Sequence, residues 1–472
     1  MKFRFLVIAL AVGVVGFGVL RLRSMPVDVL PEFSLPSVEI QTESLGLSAE
    51  EVEQLITVPM EQDLLNGVPW LHSIHSESAP GVSSVTMVFE PGTDLMRARQ
   101  MVSERMTQAV ALPHVSAPPL MLQPTSSTSR MQIVGLSSKT MTPIQLSVLA
   151  HWTIAPRLMG VPGVANVAIW GERERQLQVQ VDPKRLRENG VSLLDVLETT
   201  GNALWVSSLS FVEASTPGTG GFIETDNQRL GIRHILPIVS PQGLAQVPIG
   251  NTHHRLGDVA NVVEDHQPLI GDAITGKGAG LLLVIEKFPG ASAPDVTHGV
   301  EQALAELSPG LPGMEIDRNV FRPATFIESA IRSFGRAGAI GLVLVAFVLL
   351  VLMFNWRTAL VAFVSIPASM ITGAAVLSAT GASLNVVTAT GLMIAIGAVV
   401  CAAVADVQIM LQRIRMEGNG KSPGSIILAA LFESRASIAY AGAILLLAMA
   451  PVFFVGSTYG AFLRPMVLSY GL

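Results

Sequence analysis

The sequence predicts an α+β membrane protein, a transmembrane helix bundle carrying ferredoxin-like (βαβ-type) units outside the bilayer, and three observations carry that prediction. Half of the 472 residues are hydrophobic and only 14% are charged, against about 25% in ordinary soluble chains. The charges are segregated: Ser24 to Arg336 holds 33 acidic and 20 basic residues, the remainder 3 acidic and 10 basic. Within the acidic stretch, strand and helix patterns alternate in split-βαβ order. This composition excludes a soluble enzyme and a disordered chain. The single cysteine, Cys401, excludes a disulfide scaffold, and the acidic stretch would repel nucleic acid.

The elements follow in chain order. Phe5 to Leu20 are 16 uncharged residues between Arg4 and Arg21, readable as a first span or as a cleaved signal. The run exceeds the usual h-region and no clean A-x-A site follows, so a retained span at 1–23 is expected. Alternation marks strands at Val38–Gln41, His72–Glu77 and Val85–Phe89. Ser48 with Glu51 three residues on starts a helix as a capping box, and Leu95–Val110 supplies a second. The grammar recurs with strands at Met131–Leu136, Val164–Ile169, Leu177–Val181 and Leu281–Glu286, and helices at Thr142–Leu158 and Ala293–Leu307. The expected units are 24–123 and, interrupted, 124–181 with 262–330. Residues 182–261 form an insertion with a helix at Leu193–Ala203 and a glycine-rich loop at Ser215–Gly221.

Residues 331–472 return to the membrane. From Ala337 to Ala405 there are 69 residues with one charge, Arg357, which only successive spans can explain. The second span is expected at Ala337–Phe354, an interfacial turn at Asn355–Thr358, and the third at Ala359–Leu377. The fourth begins near Leu384 or a turn later. Ser437–Leu463 contains the fifth, and Arg464–Leu472 begins a sixth that stops short of crossing, which reads as a fragment. With alternating spans, Arg357, Arg413, Arg415, Lys421 and Arg435 share the side of Lys2 and Arg4, which puts that side in the cytoplasm and 24–336 across the membrane.

The order of parts resembles the N-terminal half of a resistance-nodulation-division (RND) efflux transporter, most closely its heavy-metal efflux branch. The residues that carry the resemblance are Pro26-Val27-Asp28-Val29-Leu30-Pro31, Gly46-Leu47-Ser48-Ala49-Glu50-Glu51-Val52-Glu53, Gly160-Val161-Pro162-Gly163-Val164, Asn355-Trp356-Arg357 and Gly391-Leu392-Met393-Ile394-Ala395-Ile396-Gly397. The resemblance implies a homotrimeric inner-membrane pump, surrounded by lipid, that exports metal cations or other toxic compounds on proton influx. It further implies a periplasmic adaptor and an outer-membrane channel as partners, the βαβ units as porter subdomains, the insertion as a docking subdomain, and a second half repeating this one.

Proton coupling needs a carboxylate in the membrane whose charge changes with conformation. The resemblance puts such acids where this chain has Cys401 and Ala402, and acidic or amide residues where it has Ala398, Gln408 and Ile409. A thiol titrates near 8.5 or higher in apolar surroundings, so Cys401 is a poor substitute and reads as small packing beside Ala402 and Ala403. Asp406 remains as the relay candidate. It lies about 140° round the helix from Cys401 and roughly 7.5 Å along it. In a span from Leu384 to Val404 it is interfacial; in one from Thr390 to Gln412 it is embedded.

Other signals are weaker. Gly271–Gly278 falls one residue short of a P-loop and precedes a strand instead of a helix. His72 with His75, and His253 with His254, would point to opposite strand faces. Met101, Met106, Met370, Met393 and Met449 suit packing better than soft-metal binding, and the resemblance implies that the porter domain's metal-binding residues belong chiefly to the other half. No nucleophile, acid–base pair or cofactor loop stands out, so a secondary transporter without cofactor is expected instead of an enzyme. A transport-inactive remnant or scaffold lacking the relay carboxylates is the alternative, and a protein-export accessory a more distant one.

Overall fold

The structure, a computed structural model, describes residues 4–44, 46–106, 118–204, 222–225, 227–231, 238, 240–250, 252–267, 269, 272–276, 278–353, 356–417, 432, 439–455 and 457–472. The sequence-expected glycine-rich loop at Ser215–Gly221 lies outside these residues, as does the charged loop after Glu417 apart from residue 432.

Helix α1, Arg4–Arg23, leads to a first unit of β1 (Ser37–Glu43), α2 (residues 49–65), β2 (Leu71–Ala79), β3 (Val82–Phe89), α3 (Leu95–Met106) and β4 (Leu120–Met121). The strands form one antiparallel sheet in the order β2-β3-β1-β4, the order of a ferredoxin-like unit. Alternate residues turn inward: Val38, Ile40 and Thr42 from β1, and Ser83, Val85, Met87 and Phe89 from β3, are buried. One face thus meets the helices while the other stays accessible, as alternation dictates. The capping box forms as read, with Glu51 N donating to Ser48 Oγ at 3.3 Å and Ser48 N to Glu51 Oε2 at 2.8 Å.

The second unit repeats the plan with β5 (Arg130–Ser138), α4 (residues 143–159) and β6 (Val164–Trp170) before a long interruption. That interruption corrects the sequence reading. β7 (Arg175–Val181) does not join the second sheet; it pairs antiparallel with β10 from Arg175↔His266 to Val181↔Ala260. Its alternate residues Leu177, Val179 and Val181 pack on a separate core with Val191, Val196, Leu244, Ile249, Leu256 and Val259. A period-2 pattern gives a strand but not its partner. The insertion also holds α5 (Pro183–Asn189), α6 (Leu193–Leu204), the hairpin β8 (Phe222–Thr225) with β9 (Gln228–Gly231), two short helical turns, and β10 itself (Ala260–His266). The unit resumes with β11 (Leu281–Lys287), α7 (Ala293–Leu307) and a strand not anticipated from the pattern, β12 (Met314–Phe321). Its sheet order, β12-β5-β11-β6, matches the first. Gly163, in the turn between α4 and β6, holds φ +91°, and a Cβ there would lie 2.7 Å from Val296 on α7, so both backbone and packing require glycine.

The helices α2 and α4 share an irregularity. Each contains one π turn, Glu53–Thr57 and Ala150–Ile154, ending two residues before a proline, Pro59 and Pro156. Proline has no N–H and its ring crowds the carbonyl four residues back, and a wider turn relieves both. In each helix the buried residues recur every fourth position: Val52, Ile56, Met60 and Leu64, then Leu146, Ala150, Ile154 and Leu158. In a pure α-helix that spacing drifts about 40° per step; the π turn takes up part of the drift and keeps the row on the sheet.

Beyond Phe321 the described residues are mainly helical: α8 (Ala324–Met353), α9 (Trp356–Ala379), α10 (Val386–Glu417), α11 (Ala439–Phe454, its last turn 3-10) and α12 (Ser457–Gly471). Ala324–Val351, Ala359–Ala379 and Val386–Met416 are long and apolar enough to cross a membrane, and Ala439–Phe454 is apolar but shorter. Two sequence expectations shift. The second span lies in a helix that begins at Ala324, well before Ala337, because Arg322 grips Glu301 of α7 at 2.7 and 3.2 Å and Glu328 of α8 at 3.0 Å. The run Ser437–Leu463 contains α11, but the sixth element begins at Ser457, inside that run and not at Arg464, after Pro451 tightens the end of α11 into the 3-10 turn. Arg464 donates to the freed carbonyls of Phe453 and Val455 at 3.1 and 3.2 Å. The break would otherwise leave acceptors unsatisfied.

α10 and α12 pack closely because a Cβ at Gly391 would overlap Ser469 Oγ and Met466 O. Gly391→Ala is therefore expected to destabilise the protein by about 1–3 kcal/mol, read as a lowered Tm in detergent. Gly341→Ala on α8, where a Cβ meets nothing within 4 Å, serves as the neutral comparison; equal melting of the two variants would contradict the packing account.

Candidate functional site

The relay candidates all lie on α10, and its start is fixed by a buried polar knot. Asn385 is the N-cap: Val387 N and Thr388 N both donate to its Oδ1 at 3.0 Å, and its Nδ2 donates to Ser383 Oγ at 3.1 Å. Thr388 Oγ1 accepts from Asn385 N at 2.8 Å and reaches Ser383 O at 3.2 Å. Asparagine caps well because its side chain satisfies amides that the first turn leaves open.

From that cap the helix runs 32 residues, about 48 Å, against a hydrocarbon core of about 30 Å. The frame Thr390–Gln412 lies within it, and the frame Leu384–Val404 begins two residues before it. Its neighbours set the level of each residue. Val407 shares an apolar cluster with Leu349, Ala359 and Ile366, and Leu349 and Ala359 sit next to the α8–α9 connection. Asp406 is therefore level with the ends of α8 and α9 remote from the soluble units, while Cys401 lies more than one turn nearer the middle. Cys401 and Ala402 open onto a cavity of about 680 Å³. Ala395, Ala398 and Ala405 of α10, Gly373 of α9, Leu445 of α11 and Tyr470 of α12 help to line it. Among the described residues the lining is mainly apolar and has no Asp or Glu side chain, and Asp406, round the helix, is not part of it. Cys401 and Ala402 thus face the cavity together, and Asp406 stands apart from both.

The declined signals keep simple surroundings. His75 faces Thr86 across β2–β3 and contacts Ser73. Ile274–Thr275 pairs with Gly278–Ala279 as a small hairpin, where a phosphate loop would need a helix. Among the described residues no three His, Cys, Asp or Glu side chains cluster.

What sequence reasoning missed is the segment that joins this site to the soluble units. Residues 26–33, between α1 and β1, run beside the start of α10: Leu384 N donates to Pro26 O at 2.8 Å, Asp28 N to Leu384 O at 3.0 Å, and Val386 N to Val29 O at 3.2 Å. Phe33 stacks on Phe462 of α12 with ring centroids 5.0 Å apart. Glu32 accepts from Ser34 at 2.9 Å, and from Ser127 and Thr128 of the inter-unit crossover at 2.7 and 3.3 Å. Asp28 meets Lys287 of β11. Pro26–Pro31 stood out only as a motif; one lysine ending the apolar run Leu281–Ile285 was the available hint of a partner.

Two ferredoxin-like units, an insertion splitting the second, and a bundle of apolar helices with a close-packed α10 define the class: the architecture of the RND proteins. The chain belongs to the AcrB/AcrD/AcrF family, whose pattern it matches over residues 1–472. It is 30% identical over 435 residues to the putative cation efflux system protein SilA of Salmonella typhimurium, covering 90% of this chain and 40% of that protein. To the cobalt-zinc-cadmium resistance protein CzcA of Cupriavidus metallidurans it is 26% identical over 383 residues, 78% of this chain and 35% of that one. A crystal structure of a heavy metal efflux pump superposes with TM-score 0.81 at 24% identity, covering all of this chain and 46% of the other. The chain thus spans about two fifths of the length of these relatives.

The Glu32 clasp is pH-dependent. Desolvation pushes its carboxyl up, but the hydroxyls of Ser126, Ser127, Ser34 and Thr128 outweigh that and hold it below its ordinary value of 4.5. A lowered folded-state value means the stabilisation is complete above that ordinary value and is lost as pH falls through the folded one. Thermal midpoints followed by tryptophan fluorescence should fall below pH 4.5 in the wild type and fall less steeply in Glu32→Gln. Identical acid limbs would remove Glu32 from the acid response.

Proposed function

We propose that this chain is the N-terminal half of a proton-driven RND exporter in the inner membrane, exporting metal cations. The observation that carries the reading is the family match along the whole chain joined to a fold in which two ferredoxin-like units stand on an apolar helix bundle. Cation efflux names among the relatives support metal cations as the cargo class. In this reading residues 1–23 are the first span, and 24–123 and 124–174 with 267–330 are porter subdomains on the periplasmic side that open and close on cargo. Residues 175–266 dock toward an outer-membrane channel, a periplasmic adaptor embraces the assembly, and three copies form the working unit.

Coupling in this reading falls to Asp406, the acid within the apolar part of α10. A membrane carboxylate exchanges its proton only where conformation alters its surroundings, and the level of Asp406 near the helix ends gives it access to water from one side. The cavity at Cys401 and Ala402 is apolar, so it supplies packing space instead of a titrating group. A second reading, a transport-inactive scaffold, draws on that same lining without an Asp or Glu side chain.

Everted membrane vesicles containing the native protein should take up Zn²⁺, Cd²⁺ or Ag⁺ when a pH gradient is imposed, and lose the uptake with an uncoupler. Asp406→Asn should lower it by about 5- to 150-fold, the span of ordinary coupling free energies. Uptake that ignores the gradient would remove proton drive. No uptake in wild type and none in Cys401→Asp would favour the scaffold.

A further inference from the structure

Among the described residues, Lys287 is the one charged side chain that is buried, with 1% of its side chain exposed. It closes β11, whose other inward residues are Leu281, Leu283 and Ile285. Its Nζ stands 2.8 Å from Asp28 Oδ2, and no other described acceptor satisfies it. Asp28 is itself 12% exposed, and its second oxygen accepts from Val29 N at 2.8 Å. Among the described residues the two are thus each other's charge compensation, with Lys287 closed to water and Asp28 at the edge of the site.

The backbone around the pair faces two ways. On one edge, Val27 pairs with Leu384 in a parallel bridge, and three hydrogen bonds join residues 26–29 to the start of α10. On the other, Ala293 N at the start of α7 donates to Val27 O at 2.9 Å, and Lys287 N donates to Ser129 O at 2.8 Å in the crossover. The same few residues therefore touch the relay helix and the second ferredoxin-like unit at once. Backbone bonds along a short edge can slip by register. A buried ion pair cannot, because separating it leaves an uncompensated charge in apolar surroundings.

We propose that residues 26–29 are a coupling strap between α10 and the second ferredoxin-like unit, and that the Asp28–Lys287 pair is its lock. Displacement at the start of α10 is delivered through the strap to β11 and α7. The lock is a feature of the fold alone; its use in export rests on the transport reading above.

Distance measurements separate the two. Spin labels at Ala379 and Asp295, in a Cys401→Ser background of the full chain in nanodiscs, report the α10 connector against α7. Asp28→Asn and Lys287→Met should each convert one narrow distance distribution into a broad one, shifting the docked-to-undocked ratio by about a hundredfold or more. The double variant Asp28→Leu/Lys287→Met should restore the narrow distribution, since an apolar pair removes both charges together. Distributions unchanged in the single variants, or a double variant no better than either single one, overturn the lock. In everted vesicles, Asp28→Asn should lower cation uptake at least about fivefold while the imposed pH gradient still dissipates. Wild-type vesicles without proton-driven uptake would sink the transport reading and leave the distance measurement to decide the lock. Wild-type uptake with Asp28→Asn unchanged in both assays would overturn the strap itself.

Discussion

A charge pair held out of water at the meeting point of three bodies constrains the rest of this chain. Asp28 comes from the link between α1 and the first sheet, Lys287 from the second sheet, and Leu384 beside them from the membrane bundle. Each body has its own apolar core. What those cores do not specify is their mutual placement, because hydrophobic contact is non-directional. Directional contacts supply it here: an ion pair, a short backbone ladder, the Phe33–Phe462 stack and the hydroxyl cradle around Glu32. All four lie within residues 26–33, which makes this stretch more consequential than its length suggests.

The membrane part obeys a different economy. Lipid offers no hydrogen bonds, so each interruption of a helix needs a partner from within the protein. The Asn385–Thr388–Ser383 knot serves the start of α10, and Arg464 serves the break after α11. Close approach comes from small residues, with Gly391 under Ser469 as the clearest case, since apolar area alone does not draw helices together in lipid. The cavity at Cys401 is the counterpart of that economy: small side chains on α10 leave space that α9, α11 and α12 do not fill.

Much of this was legible in the sequence. Alternation in Val38–Gln41 and Val85–Phe89, and the Ser48–Glu51 box, are local signals, and local signals are what periodicity reports. The RND family and its fold were readable from motifs scattered along the whole chain. The partner of Leu177–Val181 was not, because strand pairing is long-range and either unit could have accepted an alternating segment. Met314–Phe321 was missed since its residues are half-exposed to exposed and carry no inward stripe. Of the candidate site, the helix and the identities of Cys401, Ala402 and Asp406 were plain, whereas their levels depend on what packs beside them. The ion pair joins residues far apart in sequence, and no spacing rule connects Asp28 to Lys287.

The π turns of α2 and α4 bear on how such units can change over time. With apolar residues every fourth position, each helix keeps its face on the sheet only while the wider turn absorbs the drift. Loss of a single residue inside that turn would let it close to an ordinary α turn: the twelve steps from Val52 to Leu64, and from Leu146 to Leu158, would become eleven, which advance about 1,100°, within about 20° of three full turns, and the row would stay on the core. Loss of a residue elsewhere, with the π turn kept, would rotate one half against the other by about 100° and carry its row off the sheet. The π turn is thus the place where these two helices can change length and keep their face.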